Sequence, residues 1–87
     1  MAAARDRPSY QPSPRELLRE RLADLEHEQW MDWSRQLAAG ESLSANRLAR
    51  WKANWVPYAA LSESDKEQDR AYADRILELL EEFGLLS

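Results

Sequence analysis

The stretch Ser13–Gly40, SPRELLRERLADLEHEQWMDWSRQLAAG, decides how this chain folds. Ser13 is a good N-cap, Pro14 suits the first helical position, and Glu16 completes a Ser-x-x-Glu capping box. A helix is predicted to run from there to about Ala39, where Gly40 stops it. On a helical wheel Leu18, Leu22, Leu25, Trp30, Trp33 and Leu37 share one arc of roughly 140°, which reads as a core-facing stripe.

Downstream, Ser42 or Ser44 can cap a short second helix over about 45–55. Leu48, Trp51 and Trp55 form its apolar face, with Arg47, Arg50 and Asn54 opposite. Pro57 disfavours helical geometry at Val56, so residues 56–61 read as a connector. Ser62 then caps a third helix, with Glu63 and Asp65 at the positive end of its dipole. Tyr72, Ile76, Leu79, Leu80 and Phe83 make its apolar stripe, expected to face the core. Gly84 reads as the left-handed residue that ends this helix, and Leu85 should touch Leu80. Upstream, residues 1–12 carry Pro8, Pro12 and small polar residues and are expected to form a flexible tail. The expected fold class is all-α: a small three-helix domain, long–short–long, over residues 13–87 with that tail before it.

Composition agrees with helices. The chain has one Val, one Ile and no Thr, while Leu and Ala are abundant. Its 87 residues make one domain at most, and a domain of this size buries only about 60% of its unfolded surface. With no Cys there is no disulfide scaffold, no thiol chemistry and no Cys-ligated metal. No apolar run approaches the ~20 residues of a membrane span, and residues 1–8 lack the apolar centre of a signal peptide. A cytoplasmic protein with no membrane partner is expected. The net charge of −4 lacks the basic footprint of nucleic-acid binders. It suits solubility or a basic partner.

Few residues point to chemistry. His27 is the only histidine, and the acids near it show no metal-ligand spacing. Ser34, His27 and Asp69 can be written as a hydrolase triad, but a nucleophile needs an exposed turn with oxyanion donors, and Ser34 is mid-helix. No enzymatic activity and no cofactor are expected. Asp69 shares a helical face with apolar residues and should point inward, where a carboxylate needs a partner. An indole N–H, the Tyr58 hydroxyl, His27 or an Arg are the candidates. Read structurally, Asp69 is a hydrogen-bonding hub; read functionally, it is an acceptor at a pocket floor. The four Trp, at 30, 33, 51 and 55, are either aromatic core or a surface that stacks on a flat ring. Arg35, Arg47, Arg50 and Lys52 form a modest basic patch, either a solvated face or a phosphate contact.

Two patches add a family resemblance. His27-Glu28-Gln29-Trp30, then Pro57-Tyr58 with Leu61, then Lys66, Asp69 and Arg70 together resemble the ryanodine-receptor-type repeat (RyR) domain. The match spans about residues 27–76. It departs in the middle: where such domains carry a Gly-Trp-x-Tyr-Gly-like loop, Leu43–Trp55 reads as a helix. In this the chain is similar to small phage or prophage variants. RyR-like domains accompany prokaryotic antiviral systems and have been proposed to recognise NAD-derived nucleotides. The resemblance, together with the excess of Trp, suggests a non-catalytic binding module with His27, Trp30, Tyr58, Asp69 and Arg70 at its site, joined by Trp51. Trp30 or Trp51 would stack on a base, Tyr58 and Asp69 would supply polar contacts, and Arg70 or Arg50 would hold phosphate. The alternative is an acidic protein-interaction module, such as a phage-encoded inhibitor of a host protein, or a structural homo-oligomer. A homodimer fits either.

Overall fold

The computed structural model describes residues 11–86. These residues form a 27-residue helix α1 (Pro14–Gly40), a short α2 (Ala45–Ala53), a 3₁₀ turn (Tyr58–Ala60) and α3 (Glu63–Glu82). The long–short–long, all-α order is as expected. Residues 1–10 lie outside the described part, and with them most of the expected tail; Gln11 and Pro12 are exposed coil.

The ends are made as the sequence chemistry dictates. At the start of α1, Ser13 Oγ accepts from Glu16 N–H at 3.1 Å, and Glu16 Oε1 accepts from Ser13 N–H at 2.8 Å. Ser44 and Ser62 cap α2 and α3 by accepting from Arg47 N–H and Asp65 N–H, each at 3.1 Å. α3 ends on Gly84 at φ +71°, with Leu85 N–H donating to Leu80 C=O at 2.8 Å. Gly40 does less than expected. It stays inside α1 without a left-handed turn, and Glu41 leaves in extended conformation.

α1 packs chiefly against α3, and the two are antiparallel. Arg15 meets Glu81, Arg19 meets Asp74, Glu20 meets Arg70 and His27 meets Asp69, so partners on α3 descend as α1 ascends. The contact runs through small residues. Ala23 on α1 and Ala73 on α3 are wholly buried, and Tyr58 and Leu61 from the connector close over them, with Leu22 and Val56 alongside. Leu77 is also fully buried, a contribution of about 1.5–3 kcal/mol.

Two sequence expectations are corrected here. The α3 stripe is not the core face: Tyr72, Ile76, Leu79 and Phe83 are exposed, and the buried positions are their sequence neighbours Ala73 and Leu77. One residue turns a helix by about 100°, so the seam faces away from α1. On α1, Leu25 and Trp33 are exposed, while Ala23, His27 and Ser34 take the inward positions. Close approach at an alanine pair sets the rotation of both helices, and the larger residues are swung outward. Among the described residues no helix is long and apolar enough to cross a membrane.

Candidate functional site

α2 and the connector after it are held by aromatic residues. The Trp55 indole N–H donates to Ser34 Oγ at 2.9 Å, deep in the fold where Ser34 is wholly buried. Trp51 meets Trp30 edge-to-face with ring centroids 6.1 Å apart, and tilts against Trp33 at 5.7 Å. His27 Nε2 donates to Val56 C=O at 2.7 Å, fastening the connector to α1. A carbonyl only accepts, so this bond places the hydrogen on Nε2 and turns Nδ1 toward α3.

These contacts leave a cleft of about 420 Å³ between α1, α2 and α3. His27, Trp30, Trp51 and Asp69, four of the six expected site residues, line it together. His27 stacks on Trp30 with centroids 5.8 Å apart, so one wall is a continuous aromatic surface. Asp69 Oδ2 lies 3.7 Å from His27 Nδ1, beyond hydrogen-bond reach. Its carboxylate is only 16% exposed, yet among the described residues no hydrogen bond reaches it. The expected hub is absent: the Trp55 indole, the Tyr58 hydroxyl and Arg70 all have other acceptors. Burial pushes the Asp69 carboxyl above the usual carboxylate range. A protonated His27 opposes that shift, and Glu26 and Asp65 add to it.

Sequence reasoning missed part of the lining. Gln68 and Asp65 reach the cleft from α3, and Asn54 from the end of α2. Gln68 adjoins Asp69 in the chain and Asp65 lies four residues before it, a spacing that could have signalled them. Arg50, expected on the outer face of α2, also lines the cleft and has no ion-pair partner among the described residues. Of the rest of the basic patch, Arg35 lies over the Trp55 ring at 5.6 Å and Arg47 over Trp51 at 6.0 Å.

Tyr58 and Arg70 are elsewhere. Arg70 grips Glu20 with Nε at 2.6 Å and Nη2 at 3.0 Å, and its Nη1 reaches Glu63 at 3.0 Å and Glu67 at 2.8 Å. Tyr58 Oη donates to Glu20 Oε1 at 2.9 Å. The Arg70 hydrogen bonds hold Glu20 below the usual carboxylate range, and burial, helped by Glu20, pushes the Tyr58 hydroxyl to about 12. The three glutamates raise the Arg70 value in turn. This cluster joins α1, the connector and α3, and it belongs to the frame of the fold.

Among the described residues no group of three or more His, Asp or Glu gathers as a metal site. Chemically, the cleft can stack a flat ring, accept hydrogen bonds at Asp69, exchange amide hydrogen bonds at Asn54 and Gln68, and meet one anionic group at Arg50. No family model, no curated protein and no solved structure matches this chain.

Proposed function

We propose that the chain is a non-catalytic binding module whose ligand seats in the cleft of His27, Trp30, Trp51 and Asp69. The observation that carries this reading is Asp69, a largely buried carboxylate without a hydrogen-bond donor beside an aromatic wall. Unsatisfied polar groups in such places are costly, and a ligand donor relieves the cost. A nucleotide fits: its base stacks on Trp30 or Trp51, a ribose hydroxyl or exocyclic amine donates to Asp69, and a phosphate meets Arg50. The resemblance to RyR-type domains directs attention to NAD-derived nucleotides and to phage–host conflict. Glu26, Asp65 and Asp69 give the lining more negative than positive charge, which favours ligands with few phosphates.

Isothermal calorimetry of the purified chain against cyclic and linear NAD-derived nucleotides tests the reading. Saturable binding to one of them, lost in Trp51→Ala and Arg50→Ala but kept in Arg70→Met, is the expected result. Silence across the panel at millimolar ligand removes the nucleotide.

A second reading, an acidic protein-interaction module acting on a host protein, draws on another groove of about 470 Å³. There Met31, Trp55, Val56 and Pro57 make an apolar wall beside Asp24, Glu28 and Arg35, two acids to one base, a surface suited to a basic, partly apolar peptide. Affinity purification with a Glu28→Arg control, at an exposed position of this groove outside the cleft, separates the two.

A further inference from the structure

Tyr72, Ile76, Leu79 and Phe83 are spaced four, three and four residues apart, the a/d repeat of a coiled-coil seam. The fold leaves this seam in water. Tyr72 is 50% exposed, Ile76 41%, Leu79 54% and Phe83 70%, while Ala73 and Leu77 carry the packing against α1. The four side chains present roughly 450 Å² on one helix, the scale of a functional apolar patch on a monomer. Two such patches meeting remove about 900 Å² from water, and the stems of flanking residues bring the total near the ~1,200 Å² of a specific interface.

We propose that this seam is the interface of a homodimer, with α3 packed antiparallel on α3 of a second copy about a two-fold axis between Ile76 and Leu79. The seam is complementary to itself about that point. Ile76 meets the partner's Leu79, and Tyr72 meets the partner's Phe83, so aliphatic pairs fill the centre and aromatic pairs the ends. Charge chooses the same arrangement. Arg75 and Glu82 flank the seam one heptad apart, on the same side, and neither has an ion-pair partner among the described residues. Arg75 lies over the Tyr72 ring at 5.8 Å. In an antiparallel pair Arg75 faces the partner's Glu82, twice by symmetry; in a parallel pair it faces Leu80 and gains nothing. Two copies of the α1–α3 hairpin then form a four-helix assembly. Tyr72 belongs to both the seam and the nucleotide-sized cleft, so pairing brings the partner's Phe83 to the edge of the cleft.

Sedimentation equilibrium of the full chain, at concentrations up to about 100 µM, reads the stoichiometry. The expected mass is twice the 10.1 kDa of one chain. Leu79→Glu, at an exposed position, is expected to be monomeric throughout with unchanged helical circular dichroism. Arg75→Glu and Glu82→Arg singly set like charges face to face and should each weaken the dimer about tenfold or more; the double variant restores it to within about threefold. A monomeric wild-type chain, or a dimer indifferent to Leu79→Glu, overturns the proposal. Should Leu79→Glu fail to fold, the charge-reversal series decides alone: no rescue in the double variant means this seam is not the interface, or not antiparallel.

Discussion

Replacing Arg70 with Met tests whether the acidic cluster holds the fold and not a ligand. The Arg70 side chain is 14% exposed and its guanidinium binds Glu20 through two nitrogens, at 2.6 and 3.0 Å. A charge-assisted pair of this kind contributes about 1.5–3 kcal/mol where water is excluded. The Glu20 side chain is 42% exposed, so screening lowers that figure toward about 1–2 kcal/mol. Glu63 and Glu67 are 75% and 60% exposed and add little. Met keeps an unbranched apolar side chain of similar length, so the loss isolates the polar contacts. Urea denaturation followed by circular dichroism should show Arg70→Met destabilised by about 1–2 kcal/mol near neutral pH. The sign of the pH dependence is fixed by Glu20, whose carboxyl is held below the ordinary 4.5 in the folded chain. A carboxyl of lowered value stabilises the fold above its unfolded value, and that stabilisation is lost as pH falls through its folded value. The penalty of Arg70→Met should therefore shrink as pH falls below the ordinary carboxylate range and through the lowered folded value of Glu20. A penalty under about 0.5 kcal/mol near neutrality, or one equally large in acid, would refute the reasoning.

Two further substitutions probe the frame. Ser34→Ala leaves the buried Trp55 indole N–H without its acceptor and should cost about 1–3 kcal/mol in urea denaturation. Gly84→Ala meets no steric neighbour, yet its φ of +71° should still cost about 1 kcal/mol, read as a lowered melting temperature.

The residues on which the resemblance to RyR-type domains rests divide between two places in the structure. His27, Trp30, Leu61 and Asp69 line the cleft, whereas Tyr58 and Arg70 close the opposite cluster with Glu20. On a helical wheel Asp69 and Arg70 are neighbours in sequence but about 100° apart, enough to put them on different sides of α3. Glu20 attracts Arg70 from a helix turn that carries no motif residue, so nothing within the pattern announced it. The stripe of α3 failed for a related reason. Periodicity identified a continuous apolar row correctly, but an apolar row says only that something must cover it, not that the same chain does.

Sequence by itself determined where each helix begins and where α3 ends, because serine caps and the Gly84 turn act over three or four residues; Gly40 and Pro57 marked the other two ends only approximately, α1 running through Gly40 and α2 stopping at Ala53. It determined the element order and, through the helical period, which residues share a face. Tertiary structure decided which face meets which. Ala23 and Ala73 lie 50 residues apart in the chain yet share one buried cluster, and packing at these small residues sets the rotation of both long helices. That rotation turns Tyr72, Ile76, Leu79 and Phe83 to solvent, carries Asp69 to a cleft where no hydrogen bond from the described residues reaches it, and gives Arg70 to Glu20. Such contacts depend on how closely two distant small residues let their backbones approach, a quantity that no local pattern encodes.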